Sequence, residues 1–198
     1  MKEQLIISVG REFGSGGHEI AQKLAEHYGL PLYDHNLLDE LAQKHGIDTE
    51  MLKRYDEKHR NKLFSRTVRG LNNSPEHNVA QLQFEFIRDR AKEGSSFVIV
   101  GRCSETALRH HPAMISFFIL GDMQVKEKRI MEMHHLSRRE AQALIQEKDR
   151  KRKRYHNSHC KGKWGNSRNY DLSINSSKLG IDESVKIIIQ YIDARRGQ

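Results

Sequence analysis

The chain contains few of the residues on which secreted or membrane-embedded folds depend. Only two of its 198 residues are cysteines, Cys103 and Cys160, so a disulfide framework is excluded and a reducing compartment is favoured. No apolar run approaches the length of a membrane span, and the first residues lack the basic flank and apolar segment of a signal peptide. We therefore expect a cytoplasmic protein without a membrane partner.

Length and charge narrow the class of protein further. With 198 residues the chain suits a single domain, 1–198. Its formal net charge of +8 predicts an anionic partner, and composition leaves both nucleotide phosphates and nucleic acid open. Two segments are too polar for the core. We interpret 46–80 as an inserted helical flap, whereas 147–170 is dominated by charge and then by Gly, Asn, Ser and His.

Five short apolar runs predict the strands of a buried parallel sheet. They are Leu5–Val9, Leu32–Tyr33, Phe97–Val100, Ile115–Leu120 and Leu172–Ile174. Helical patterns separate these runs, and one of them begins with Ser137 and Glu140 at the spacing of a capping box. The alternation of strands and helices predicts an α/β fold in which helices cover both faces of the sheet.

A glycine-rich loop follows the first predicted strand. Gly10, Gly14, Gly16 and Gly17 fall within eight residues, directly before an amphipathic helix. Glycine backbone can approach a ligand closely, and the N–H groups and dipole of a helix start favour an anion, so this loop is predicted to hold phosphate. A tight packing turn is the alternative, but it does not require four glycines. Gly17 and His18 stand where the motif G-x-x-x-x-G-K-[ST] has lysine and a hydroxyl residue.

Polar side chains follow two other predicted strands. Arg102 comes soon after Phe97–Val100, and Asp34 directly follows Leu32–Tyr33. Ligands of open parallel sheets bind at the carboxyl ends of the strands, so the planar fork of Arg102 is a candidate for binding a phosphate or a base edge. Asp34 is a candidate for organising the site or a metal-bound water, or else it caps the next helix. Arg88 and Arg90 lie on the helix before the third strand, and one of the two is a further substrate-binding candidate.

A basic run continues the helix that Ser137 caps. It extends from Glu147 to Arg154, and within it Asp149 and Arg152 are three residues apart and share one helix face. Such a run is usually a solvated surface and less often a nucleic-acid patch. Because this run belongs to a helix anchored in the core, we interpret it as a lid whose carboxylate meets a ribose and whose arginines bind phosphates.

Histidine is abundant, with twelve residues, and this raises the question of a metal site. The most suggestive group is His156, His159 and Cys160, but two neighbouring imidazoles and one thiol do not complete a structural zinc site. We therefore predict no metal bound by the protein alone. No pattern around Cys103 marks it as an activated thiolate.

Several of these segments, taken in order, resemble a known family. The segments are GREFGSGGHEIAQKLAEHYGLPLYDHNLL, FVIVGRC, EKDRKRKRY and YDLSINSSKLGIDESV. Together they resemble the cytidylate kinase-like family, a branch of the P-loop nucleoside monophosphate kinases, over roughly 5–45 and 84–192. The resemblance implies a three-layer P-loop kinase fold with about five parallel strands, in which 46–80 is the monophosphate-binding flap and 147–170 is the lid.

The resemblance also implies roles for individual residues. It implies that the ATP phosphates are bound by the loop residues Gly14, Ser15, Gly16, Gly17 and His18. It implies that the monophosphate is bound by Asp34, Arg88, Arg102 and Asp149. Arg150, Arg152 and Arg154 are the lid arginines. With Arg11, which occupies the position of the motif's first glycine, they are the candidates to replace the missing lysine in catalysis.

The implied activity is transfer of the ATP γ-phosphoryl group to a nucleoside monophosphate, most of all CMP or dCMP, with Mg²⁺ bridging the phosphates. The alternative is a catalytically weak nucleotide-sensing or RNA-binding protein on a kinase-like fold. The absence of the motif's lysine favours this alternative. Against RNA binding, the only aromatic residue within Arg138–Lys163, the segment that would bind RNA, is Tyr155, with Trp164 directly after it. The stacking platform of a single-strand binder is therefore missing.

Overall fold

The computed structural model describes residues 3–34, 36–46, 48–50, 67–68, 71–72 and 75–197. Its strands are β1 (Ile6–Arg11), β2 (Leu32–Tyr33), β3 (Thr67–Val68), β4 (Leu71–Asn72), β5 (Phe97–Val100), β6 (Met114–Leu120) and β7 (Leu172–Asn175). Its helices are α1 (Gly17–Tyr28), α2 (Leu37–His45), α3 (Pro75–Lys92), α4 (Ser104–Ala107), α5 (Met123–His134), α6 (Arg138–His159) and α7 (Ser176–Arg196), with a 3₁₀ turn at Ser167–Asn169.

Five of these strands form one parallel sheet in the order β2-β5-β1-β6-β7. The predicted strands are all present and differ from the observed ones by two residues at most, so the predicted sheet is confirmed. The remaining two strands, β3 and β4, pair antiparallel with each other. Because β1 lies at the centre of the sheet, the loop that follows it leaves from the middle of the carboxyl edge.

Side chains of the strands alternate between two hydrophobic layers, as the two-residue period of a strand requires. Ile7, Val9 and Phe117 pack on one face with α1 and α7, whereas Ile6 and Phe97 pack on the other with α2 and α3. Helices therefore cover both faces, and the predicted three-layer α/β fold is confirmed. Within the described residues no helix is both long and apolar enough to cross a membrane.

The two polar segments differ in how far the structure describes them. Most of 46–80 lies outside the described residues, so the predicted flap does too. In 147–170, helix α6 continues to His159, and the 3₁₀ turn then leads toward β7. The last helix begins at Ser176 and is interrupted at Gly180, whose φ of 78° is left-handed.

The start of α6 provides a test of local stability. Ser137 accepts a hydrogen bond from the backbone N–H of Glu140, whose carboxylate accepts one from the Ser137 N–H at 2.9 Å. Ser137→Ala should therefore lower the free energy of unfolding by about 1 kcal/mol, measured by urea denaturation. The matched control is Ser158→Ala in the same helix, because its hydroxyl only donates to the carbonyl of Tyr155. Equal losses in both variants would contradict the capping role.

Candidate functional site

The glycine loop joins β1 to α1 and adopts a conformation that only glycine tolerates well. Gly14 and Gly16 have φ of 82° and 78°, both left-handed. Gly16 precedes the first turn of α1, and no side-chain hydrogen bond caps that turn in the part of the chain that the structure describes. The first N–H groups of the helix are therefore available to an anion.

Hydrogen bonds within the protein hold this loop in place. The Ser15 hydroxyl donates to the carbonyl of Glu12 at 2.9 Å. The Ser15 carbonyl in turn accepts from the buried hydroxyl of Ser176 at 2.6 Å. Ser15 is itself buried, so its side chain braces the loop and its predicted role in phosphate binding depends on its backbone.

The position of the absent lysine is filled by the side chain of Arg11. A Cβ atom on Gly17 would lie 2.5 Å from Cβ of Arg11 and 3.2 Å from Cβ of Ile119. No side chain at position 17 fits without displacing the end of β1. The guanidinium of Arg11 extends toward Gly101, where an added Cβ would collide with it. Arg11 therefore brings a cation to the carboxyl edge by a different route from the lysine of the motif.

An open cavity of about 500 Å³ lies beside the loop. The structure brings together seven of the predicted residues in its lining: Arg11, Gly14, Gly16, Gly17, His18, Asp34 and Arg152. Nδ1 of His18 lies 3.7 Å from Oδ2 of Asp34, so the side chain of this histidine turns toward the end of β2. Arg129 also lines the cavity, where it pairs with Glu19 at 2.6 Å, and was not among the candidates from sequence.

Helix α6 crosses the loop with part of its basic run. Nη1 of Arg152 donates to the carbonyl of Arg11 at 3.4 Å, and its guanidinium lies 5.5 Å from the centre of the Phe13 ring. Arg150 and Arg154 are exposed and do not line the loop cavity. Their predicted catalytic roles therefore have no support from their position in this structure.

A buried lysine that sequence analysis missed connects the loop to α6. The Lys126 side chain is 4% exposed, and its Nζ lies 2.9 Å from Glu12 Oε2 and 3.0 Å from Asp149 Oδ2. The other oxygen of Asp149 accepts the backbone N–H of Phe13 at 2.6 Å. Both oxygens of Asp149 thus have donors within the protein, and its predicted ribose contact stays a prediction.

Arg102 and Arg88 occupy different places. Arg102 is buried with a left-handed φ of 59° and lines a second, small cavity of about 40 Å³, which Arg11 and Arg152 also line. Arg88 instead donates from Nε to the carbonyl of Ala107 at 3.3 Å and lines a separate depression. Helix α3 leads into β5 and runs against the strand direction, so its last turns point away from the carboxyl edge. The structure therefore does not bring Arg88 to the loop cavity.

The small cavity borders a polar cluster formed by α4 and the end of α6. Nε2 of His156 lies 2.7 Å from Oε1 of Glu105, and both side chains are buried. Burial opposes the charged imidazolium, but hydrogen bonds to Cys160 and Glu105 outweigh it and raise the pKa of His156 to about 10. A hydrogen bond from Cys103 lowers the pKa of Cys160 to about 6, while hydrogen bonding and burial raise that of Cys103. The fold places Cys103 beside Cys160, a proximity that the sequence did not indicate.

Comparison with solved structures confirms the fold. A shikimate kinase from Bacteroides thetaiotaomicron is 12% identical, with a TM-score of 0.55 over 96% of this chain and 98% of that one. This likeness shows the fold, that of the three-layer α/β kinases.

Sequence relatives define the family. Residues 6–178 match the profile of the cytidylate kinase-like family, and the chain belongs to that family. The chain is 30% identical to the cytidylate kinase of Pyrococcus horikoshii, over 97% of this chain and 92% of that protein. A solved, uncharacterised protein from Eubacterium ventriosum is 43% identical, with a TM-score of 0.77 over 96% of this chain and 99% of that one.

The buried lysine leads to a prediction about stability. Lys126→Met should lower the free energy of unfolding by about 3 kcal/mol, because Glu12 and Asp149 would then face each other without a cation. Chemical denaturation at neutral pH measures this loss. Lys128→Met on the same helix is the matched control, since Lys128 is exposed, and should change stability by less than about 0.5 kcal/mol. A Lys126→Met protein as stable as the control would contradict the bridging role.

Proposed function

We propose that this protein is a nucleoside monophosphate kinase that transfers the γ-phosphoryl group of ATP to CMP or dCMP. The observation that carries the proposal is the placement of a left-handed glycine loop and the arginines Arg11 and Arg152 around one cavity. Membership of the cytidylate kinase-like family supports a nucleotide kinase. The choice of cytidylate follows from the similarity to the cytidylate kinase of Pyrococcus horikoshii.

In this proposal the loop backbone binds the phosphates of ATP. The residues at the start of α1 line the cavity, and the N–H groups at a helix start favour negative charge. Phosphoryl transfer requires positioning and charge stabilisation rather than a protein nucleophile. Arg11 and Arg152 supply positive charge from two directions, one from the end of β1 and one from α6. This pair replaces the single lysine of the common motif.

The cavity also has donors suited to Mg²⁺. This ion prefers carboxylate oxygens, phosphates and water, and Asp34, whose side chain is 13% exposed, lines the cavity beside His18. Asp34 would hold the ion or one of its waters. When bound, Mg²⁺ neutralises charge that develops on the transferred phosphoryl group. Asp34 also accepts the N–H of Asn36 at 3.0 Å, which fixes the start of the second helix.

The activity is tested by supplying purified full-length protein with ATP, Mg²⁺ and one monophosphate at a time. We expect ADP and the matching diphosphate to form with CMP or dCMP, and chromatography of both products distinguishes transfer from simple ATP hydrolysis. Turnover of AMP, GMP or UMP in place of CMP and dCMP would support a nucleoside monophosphate kinase but refute the assignment of cytidylate as its substrate. Absence of ADP formation with every common monophosphate would refute the kinase.

The two arginines can be tested separately from the fold. Arg11→Met and Arg152→Met should each lower kcat by about a hundredfold or more, because each removes a cation from the developing charge. Steady-state kinetics measure the loss, and circular dichroism checks that the variants fold. The matched control is Arg139→Met, an exposed position at the start of α6, which should keep normal turnover. If Arg11→Met also keeps it, Arg11 does not replace the lysine.

A further inference from the structure

We infer that Cys103, His156 and Cys160 form a zinc site that joins the end of helix α6 to the turn after β5. This inference does not depend on the proposed kinase activity. One ligand atom from each residue lies within 4.8 Å of those from the other two. Among the described residues these three form a cluster of possible metal ligands. Their donor atoms, two sulfurs and one imidazole nitrogen, are ones that zinc prefers.

The spacing of the three atoms is close to that of a metal site. Zinc bonds of about 2.0 Å to nitrogen and 2.3 Å to sulfur place tetrahedral ligand atoms about 3.4–3.8 Å apart. The three atoms therefore need to approach one another by roughly 1 Å, which side-chain rotation can supply. Two thiolates and an imidazole favour zinc over the hard cations, which prefer oxygen.

Local structure explains why the residues converge although Cys103 is far from the others in sequence. His156 and Cys160 are four residues apart at the end of α6 and share one helix face. Cys103 precedes helix α4 with a left-handed φ of 53°, in the turn that follows β5. The turn and the helix end meet at the carboxyl edge, so the metal would connect two elements that both border the small cavity.

Glu105 has the position of a residue that supports a metal-bound histidine. Its Oε1 lies 2.7 Å from Nε2 of His156, and both side chains are buried. Metal-bound histidines commonly direct their second ring nitrogen to a carboxylate, which fixes the orientation of the ring. This arrangement leaves Nδ1 for the metal. Nδ1 lies 3.4 Å from Oδ1 of Asn157, a length at which a hydrogen bond is weak.

The surrounding charge and space also fit a zinc ion. The adjoining cavity of about 40 Å³ is lined by Cys103 and His156 and also by Arg11, Arg102 and Arg152. Zinc with two thiolates is electrically neutral, so it adds no net charge beside three arginines. The cavity is large enough for a water molecule, which supplies the fourth ligand that a site with three protein ligands requires.

The test uses reduced full-length protein from which metal has been removed with a chelator. Titration with Zn²⁺ against a coloured competing chelator should show one tightly bound zinc per chain and a rise in Tm. Co²⁺ as a spectroscopic probe should give the charge-transfer absorption of thiolate ligation in the unaltered protein. Binding of less than one zinc per chain, or cobalt spectra without thiolate absorption, would overturn the proposal whatever the variants do.

Variants then identify the ligands. Cys103→Ser, Cys160→Ser and His156→Gln should each lose tight zinc binding, and Glu105→Gln should lower the affinity about 10- to 100-fold. His110→Gln, an exposed histidine, is the control and should bind zinc normally. Equal affinity in the control and in both folded cysteine variants would show that zinc binds elsewhere. A Cys103–Cys160 disulfide in a protein whose reduced form binds no zinc would replace the metal site with a redox pair.

Discussion

The ion pairs of Lys126 join the glycine loop to helix α6, and the rest of the site depends on this connection. A lysine that is 4% exposed loses most of its hydration, and this cost is tolerated because two carboxylates, Glu12 and Asp149, neutralise it. Glu12 begins the glycine loop, whereas Asp149 belongs to α6. The same Asp149 fixes the loop backbone through the N–H of Phe13. The position of the loop therefore depends on the position of α6, and one cannot move far without the other.

Arg11 and Gly17 together explain how this chain departs from the common phosphate-binding motif. The two residues meet at the start of α1, where space exists for only one side chain. In this chain the strand residue occupies that space, and the helix residue is reduced to glycine. Arg11 thereby places a positive charge at the carboxyl edge, from a different element of the fold than the motif's lysine.

Much of the fold could be predicted from the sequence because its signals are local. Apolar runs such as Phe97–Val100 mark the buried strands, and Ser137 with Glu140 marks the start of α6. The glycine spacing likewise indicates the loop that the structure places at the centre of the carboxyl edge. In each case neighbouring residues determine the conformation, so no knowledge of distant contacts is needed.

The rest of the site depends on contacts between residues far apart in the chain. Lys126 lies in a helix with a weak apolar pattern, and only its distant carboxylate partners distinguish it from a surface lysine. Cys103 meets Cys160 because strand order places the turn after β5 under the end of α6. The position of Arg88 also follows from the fold as a whole, since the direction of α3 takes its last turns away from the loop.

Helix α6 is held at two separate levels, and this limits how the site can open. Near its middle, Asp149 binds the loop and Lys126; about 10 Å further on, at 1.5 Å per residue, Tyr155 contacts Gln83 and His156 contacts Glu105. A helix held at one point can pivot about that point, whereas a helix held at two points can pivot only if the contacts at one of them break. If 147–170 acts as the predicted lid, its movement therefore requires the contacts of Asp149 or those of Tyr155 and His156 to break.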